Sequence, residues 1–364
     1  MARAAVARGS LSGIVPLDQS AYTLPASLLG LYLRRLGVDA SKLAVDLTTL
    51  TVLQVAHVDR IAYENVSLHQ GPGGTPSEQP ELSPLASVMR VDAGCRGGYC
   101  FLLVDAYAAL LCSLGFCVSL HVGGCGEDPL PDAKRGNHVV MLVHLPGHPT
   151  PYISDVGLGD GPSAPFPLRP HTWHEHGYTF ALRDHGGGEW RFVHDAVGSF
   201  DGFTVSLATS CAGAHEFLSY HNFFWQDAQS NYRTAGAVLQ RMSPSQGVLT
   251  LRNATLKRVH PSVGGKQGAA LETASSREQW LRMVRDTFAL PLDEKLAAAE
   301  LDALWGVVRE KQSEWVAAER RKHAKRVALA IAAASVVASI LTIYCRRGCS
   351  AAPVIGRLSR YKVS

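Results

Sequence analysis

The segment Arg96-Gly97-Gly98-Tyr99-Cys100 runs directly into Phe101-Leu102-Leu103-Val104-Asp105-Ala106-Tyr107-Ala108-Ala109-Leu110-Leu111, with no proline or glycine before Gly115. A double glycine ahead of such an apolar run reads as a tight turn feeding a buried helix, around which the rest of the chain must be arranged. Cys100 falls in the first turn of that helix. Unpaired backbone N–H groups and the positive end of the helix dipole favour a thiolate there. Cysteine is also among the residues most often buried and inert. A chemical role for Cys100 therefore requires a base, and a group to orient that base, further along the chain.

At 364 residues, with 46% hydrophobic and 18% charged content, the chain is globular and long enough for two or three packed units. Its net charge of +4 hides an asymmetry. Ten lysines and arginines and no acid lie between Arg320 and Ser364, so the rest, with 25 basic and 31 acidic residues, carries −6. A mildly acidic body argues against nucleic acid as a partner, and the basic tail points to a membrane surface. The eight cysteines (95, 100, 112, 117, 125, 211, 345 and 349) contain no CxxC pair and follow no secretory signal. Free thiols in a reducing compartment are expected.

Residues 1–20 read as a disordered leader, because no acid appears before Asp18 and no continuous apolar core is present. Residues 24–57 repeat Leu and Val at three- and four-residue spacings and are expected to be helical. Prolines and glycines between 69 and 84 mark a loop. From about 116 to 255 short apolar runs bounded by turns, such as Val139-Val-Met-Leu-Val-His-Leu, predict an antiparallel sheet or barrel. Arg277 to Phe288 reads as a helix with Trp280, Leu281, Val284 and Phe288 on one face.

Asp293 to Arg326 is rich in Ala, Glu, Lys and Arg and reads as a long, basic-ended helix. Residues 327–345 are uncharged between basic flanks and predict a single transmembrane segment, with an Ala-rich helix as the alternative. With only a short basic tip over 346–364, this describes a tail anchor. The body would face the cytosol, held at the outer mitochondrial, plastid envelope or endoplasmic reticulum membrane.

Two downstream motifs supply the missing roles. Arg135-Gly136-Asn137-His138 places a histidine at the head of a strand, and Tyr152-Ile-Ser-Asp155-Val156-Gly157-Leu158-Gly159 ends a neighbouring strand in a carboxylate. In a Cys–His–Asp relay the imidazole takes the thiol proton and the carboxylate fixes the tautomer and supports the imidazolium. RGGYC, the strand-leading His138 and the DVGLG segment, in this order, resemble the arylamine N-acetyltransferase family. So does His57…Ile61-Ala62-Tyr63-Glu64-Asn65, which is similar to that family's H…I-P-F-E-N with Ala62 in place of proline.

The resemblance, over about 20–290, implies an α+β fold. A helical bundle carrying the nucleophile (21–115), an antiparallel β-barrel (116–210) and an α/β lid (211–292) would precede the C-terminal helix (293–326) and span. It implies catalytic Cys100, His138 and Asp155, acetyl-CoA as acetyl donor, no metal, and an aromatic amine or hydrazine as acceptor in a ping-pong reaction. Gly123, Gly124 and Gly126 match in position a glycine loop near the CoA pyrophosphate. Glu64 and Arg96 are expected to form a buried ion pair.

The family usually carries a polar residue two after the cysteine and an asparagine four after, where this chain has Leu102 and Val104. A thiol hydrolase, an acyltransferase using another acyl-CoA and a catalytically silent membrane-tethered scaffold stay open beside the leading reading. His171, His174 and His176 lack a matched second ligand pair and are not read as a metal site.

Overall fold

The computed structural model describes residues 14–71, 75–92, 96–208, 210–263 and 266–346. Its first part is helical: α1 (Gln19–Tyr22), α2 (Ala26–Leu36), α3 (Leu47–Arg60), α4 (Pro84–Asp92) and α5 (Cys100–Ser113). A two-residue strand, β1 (Tyr63–Glu64), lies between α3 and α4. Asp46 caps α3 by accepting the Thr49 N–H at 2.8 Å, and Gly37, at φ 63°, closes α2 in the left-handed conformation. Every residue of α5 from Cys100 to Cys112 is buried, as a helix apolar on all sides requires.

Residues 14–20 do not belong to a disordered leader. Leu17 donates its N–H to the Val118 carbonyl and Val15 donates to the Ser210 hydroxyl, each at 2.8 Å. The expected leader over 1–13 lies outside the described residues.

After Gly115 the chain forms β2 (Cys117–Cys125), β3 (His138–His144), β4 (Tyr152–Ile153), β5 (Phe166–Pro167), β6 (His171–Glu175), β7 (Tyr178–Gly186), β8 (Glu189–Val193) and β9 (Gly202–Ser206). They make one antiparallel sheet in the order β5-β4-β3-β2-β9-β8-β7-β6, and α5 packs against β2 and β3. This corrects the expected barrel: the sheet is a half-barrel whose edges β5 and β6 are not joined by a ladder. The Phe166 and Trp173 rings bring the edges together, with centroids 4.8 Å apart. β5, however, is two residues long, and Pro167 offers no N–H with which to close the sheet.

Helices α6 (Leu218–Gln226) and α7 (Asn231–Thr234) lead into the lid. Its strands are β10 (Val238–Ser243), β11 (Gly247–Arg252), β12 (Thr255–Val263) and β13 (Lys266–Thr273), with β1 added at the edge through Tyr63↔Gln240 and Glu64↔Leu239. α8 (Arg277–Phe288) buries Trp280, Met283, Val284 and Phe288 against Leu239, Leu249, Leu251 and Leu256. A short α9 (Leu292–Lys295) follows.

α10 runs from Ala298 to Arg346 as one helix. It begins in the first of two compact units, Met1–Lys311, and is what is described of the second, Gln312–Ser364. The expected transmembrane segment is therefore corrected: among the described residues no helix is long and apolar enough to cross a membrane. Alanine is the best helix former, and over 327–345 the backbone forms a continuous helix with no break at Arg326. The tip from 347 lies outside the described residues, as do most side chains from 326 onward, those of Cys345 and Cys349 among them.

Candidate active site

The turn before α5 is set by close backbone packing. A Cβ on Gly97 would lie 1.7 Å from the Ala62 carbonyl oxygen, so only glycine fits there. Glu64 then donates its N–H to the Gly98 carbonyl at 2.9 Å, fastening the turn to β1. Tyr99 enters α5 in extended conformation and its side chain makes no cap bond. Leu102 and Leu103 donate their N–H groups to the Tyr99 carbonyl at 3.0 and 3.1 Å, which leaves the Cys100 and Phe101 amides to face whatever lies at the N-terminus of the helix.

Cys100 stands there, 2% exposed, its thiol 3.8 Å from the Asn137 carbonyl oxygen. His138, the first residue of β3, binds Asp155 Oδ2 through Nε2 at 2.7 Å, which leaves Nδ1 as the ring nitrogen open to another partner. Asp155 Oδ1 accepts the Gly157 N–H at 2.8 Å. Burial opposes a charge on the imidazole, but the Asp155 carboxylate outweighs it. With help from Cys125 and a hydrogen bond donated to Cys100, His138 is held well above the ordinary histidine value. Cys125, half-buried beside it, is pushed up to about 11 by desolvation, although His138 pulls it the other way. A thiol at an uncapped helix N-terminus, beside an imidazole that a carboxylate keeps protonatable, can ionise and attack an electrophilic carbon.

Glu64 braces the same turn. Its carboxylate meets Arg96 Nη2 at 3.2 Å and also Arg90 Nη2 at 2.9 Å, and it accepts the Val66 N–H at 2.7 Å. Desolvation raises its pKa, but Arg96 and Arg90 prevail and hold the carboxyl below its ordinary value. Arg90 reaches on to the Gly97 carbonyl, Nε to O 2.7 Å, and so ties the ion pair to the turn. Sequence reasoning missed Arg90, because an arginine on a short amphipathic helix carries no mark distinguishing it from a solvated one.

Three further residues were not singled out. Asn137 clamps the end of β2, accepting the Cys125 N–H (2.7 Å) and donating to its carbonyl (3.2 Å). Tyr63 and Tyr232 share a short hydroxyl–hydroxyl hydrogen bond. All three line a cavity of about 490 Å³ together with Cys100, His138 and Gly157. A polar residue directly before a strand-leading histidine was the available signal for Asn137; nothing in the sequence couples residues 63 and 232.

Gly123, Gly124 and Gly126 are not a free loop. Gly123 and Gly124 lie within β2, paired to Val205 and Thr204 of β9. Gly126 alone of the three lines the cavity, and its N–H is taken by the Gly202 carbonyl at 3.0 Å. What requires glycine at 124 is the chain at Lys134, whose carbonyl oxygen would lie 2.5 Å from a Cβ. Leu102 and Val104 pack on glycines as well: their side chains lie 2.8 Å and 3.1 Å from Cβ positions built on Gly98 and Gly157. His57 is buried, binds the Tyr32 hydroxyl at 2.9 Å, and is pushed down to about 3 chiefly by desolvation. It lies among core residues and does not line the cavity. Among the described residues no group of three His, Cys, Asp or Glu is placed to hold a metal.

A helical bundle, a half-barrel and a lid sheet around a cysteine, a histidine and an aspartate together define a class of thiol-centred fold. Residues 46–297 match the family model described as N-acetyltransferase. The chain belongs to the arylamine N-acetyltransferase family. It is 30% identical over 133 residues to the arylamine N-acetyltransferase liver isozyme of Gallus gallus, covering 36% of this chain and 43% of that one, so it matches less than half the length of that relative. The fold is similar to that of Mycobacterium marinum arylamine N-acetyltransferase in complex with CoA (TM-score 0.65, 21% identity, 77% of this chain and 99% of the other). It is similar also to the Nocardia farcinica arylamine N-acetyltransferase (TM-score 0.64, 25% identity, 79% and 97%).

Proposed function

We propose that the protein transfers an acetyl group from acetyl-CoA to an aromatic amine or hydrazine through an acetyl-Cys100 intermediate. In the first half-reaction the Cys100 thiol gives its proton to His138, and the sulfur attacks the thioester carbon. The carbon–sulfur bond to CoA then breaks, and His138 returns the proton to the departing CoA thiolate. In the second, the amine nitrogen attacks the acetyl carbon of acetyl-Cys100. His138 takes the amine proton, and the Cys100 sulfur leaves and is reprotonated. Asp155 would hold the imidazole in one tautomer and stabilise its charged form. The Cys100 and Phe101 amides at the head of α5 would face the carbonyl oxygen as it becomes negative.

The observation that carries this reading is the buried 2.7 Å His138–Asp155 contact beside a thiol at the head of α5, on the wall of one cavity. Family membership names the donor, and the cavity of about 490 Å³ is large enough for a small aromatic acceptor. The free thiols of Cys100, Cys112, Cys117, Cys125 and Cys211 suit a reducing compartment. The test is CoA release on mixing with acetyl-CoA, followed by acetylation of a panel of arylamines. A burst of one CoA per chain is expected, absent in Cys100→Ala; steady hydrolysis unaffected by any amine would assign a thiol hydrolase instead.

A further inference from the structure

Cys125 is a thiol that the transfer reaction does not use, and the fold brings it to the same cavity as the nucleophile. Among the described residues the free cysteines are Cys100, Cys112, Cys117, Cys125 and Cys211, and of these Cys100 and Cys125 alone line the cavity. Cys125 and Gly123 are two residues apart on β2 and so share one face of the sheet. Gly123 pairs with His138 across the β2–β3 ladder, which puts the Cys125 side chain on the His138 face. Phe203, the cross-strand partner of Cys125 on β9, has its ring centroid 5.5 Å from that of the imidazole.

Asn137 joins the two cysteines. Its carbonyl oxygen receives the Cys100 thiol at 3.8 Å, while its side chain accepts the Cys125 N–H and donates to the Cys125 carbonyl. The β2–β3 ladder ends at Gly123 and His138, so on its β3 side Cys125 is held by that one amide side chain. The two thiols divide their roles. Cys100 stands at the uncapped head of α5 beside an imidazole that can take its proton. Desolvation pushes Cys125 up to about 11, which keeps it a thiol until a base reaches it. A reactive thiolate that shares its cavity with a second thiol is the arrangement in which oxidation stops at a disulfide.

We infer that Cys125 is a resolving cysteine: a peroxide oxidises Cys100, and Cys125 captures the product as a Cys100–Cys125 disulfide that blocks the nucleophile reversibly. In the first step the Cys100 thiolate attacks one peroxide oxygen and the O–O bond breaks. The departing hydroxide takes the proton held by His138 and leaves as water, with Cys100 now a sulfenic acid. In the second, His138 takes the Cys125 proton, the Cys125 sulfur attacks the Cys100 sulfur, and the S–O bond breaks. The hydroxide takes that proton back and leaves as a second water. Two thiols and one hydrogen peroxide thus give one disulfide and two waters. The bond requires Cα atoms about 4.4–6.8 Å apart, and the end of β2 settles to that span by releasing the Asn137 side chain. Thiol reductants of a reducing compartment reverse the bond. The inference goes beyond the acetyl-transfer reading and shares with it only the reactive thiol.

The full-length protein is reduced, freed of reductant and treated with excess hydrogen peroxide, alone and after preincubation with acetyl-CoA. Intact masses and non-reducing peptide maps are read by mass spectrometry. Acetylation is measured before and after dithiothreitol, each protein being referred to its own starting rate. Wild type is compared with Cys125→Ser, Cys100→Ser and, as a control, Cys112→Ser, all checked for fold by circular dichroism. Wild type should lose two hydrogens in mass, yield a linked Cys100–Cys125 peptide within one chain, and regain most of its lost acetylation with dithiothreitol. In Cys125→Ser the link should be absent, Cys100 should gain two oxygens as a sulfinic acid, and the loss should be permanent. Cys100→Ser should form no link, and Cys112→Ser should behave as wild type.

A wild type in which Cys100 passes to the sulfinic acid without a linked peptide overturns the inference. So does a Cys100 link to any other cysteine, a link between chains, or a recovery with dithiothreitol that persists in Cys125→Ser. If Cys125→Ser does not fold, the wild-type peptide map decides alone. Acetyl-CoA should prevent the link by occupying Cys100. A Cys100–Cys125 link that acetyl-CoA does not prevent, in a protein that releases no CoA, supports the pair and removes the transfer reading. Acetyl transfer by a protein that forms no link does the reverse.

Discussion

Gly157 and Cys100 are in direct backbone contact: a Cβ built on Gly157 would lie 2.8 Å from the Cys100 Cα and 2.9 Å from its Cβ. The same glycine donates its N–H to Asp155 Oδ1 at 2.8 Å. One methyl group at 157 must therefore push the head of α5 away from the strap that holds the His138 partner. Gly157→Ala is expected to cost about 1–3 kcal/mol of stability through overpacking, and to lower kcat/KM on the order of 100-fold through misplacement of the thiol. Thermal unfolding and steady-state acetylation measure the two effects. Activity within twofold of wild type would show that this contact does not position the sulfur.

Glu64→Gln leaves Arg90 and Arg96 facing each other without a buried carboxylate between them. Removing one partner from such a cluster typically costs about 3–5 kcal/mol, and part of the loss should reach the turn, because Arg90 also holds the Gly97 carbonyl. The folded pKa of Glu64 is depressed. Its stabilisation is therefore present above the ordinary carboxylate pKa and is lost as pH falls through the lower folded value. Denaturant unfolding should show the variant weakest at neutral pH and closest to wild type in acid. A pH-independent difference would point to lost packing rather than lost charge.

The parts legible in the sequence are those written in contiguous residues. α5 declares itself because no face of it is polar, and Cys100, His138 and Asp155 stand out as a set because each sits where a regular element starts or stops. Long-range pairings leave no such trace. β1 is only Tyr63 and Glu64, and its partners Gln240 and Leu239 lie far along the chain, so the lid sheet cannot be assembled from periodicity. Glycines mislead in the other direction: Gly123 and Gly124 look like a loop, yet they are strand residues thinned to admit Val140 and the 130–134 segment. The uncharged run over 327–345 signals helix as strongly as it signals membrane, and only the helix is seen.

Asp105 is a buried carboxylate one and a half turns into α5, accepting hydrogen bonds from the Tyr22 hydroxyl and the Ser87 hydroxyl, each at 3.1 Å. Desolvation outweighs those two bonds and raises its pKa to about 7. A folded pKa above the unfolded one means that the protonated form is favoured in the fold. The associated stability is full below the ordinary aspartate pKa and is lost as pH rises through about 7. Asp105→Asn keeps an acceptor for Tyr22 and removes the charge. Its melting temperature should exceed that of wild type at pH 8 by a few degrees and converge with it near pH 4. A variant less stable at pH 8 would mean that the two hydroxyl bonds to the carboxylate outweigh its desolvation.

Asp155→Asn tests the orientation of the base. Oδ1 of Asp155 is committed to the Gly157 N–H, so in the variant the amide oxygen keeps that bond and the amide nitrogen occupies the place of Oδ2, facing His138 Nε2. An N–H donor there requires Nε2 to be unprotonated, which moves the ring proton to Nδ1, the nitrogen left for the thiol. The base is then blocked by its own proton, and the charge that holds His138 above the ordinary histidine value is gone. Acetylation at pH 7 should fall by about 10³- to 10⁴-fold, the scale of a wrong-tautomer defect. The decisive measurement is the rate of Cys100 alkylation by iodoacetamide against pH. Without the carboxylate the imidazolium is no longer supported, His138 falls back toward the ordinary histidine value, and the alkylation rate at neutral pH should drop. An unmoved profile accompanied by lost acetylation would place the role of Asp155 after thiol ionisation, in the transfer to the amine.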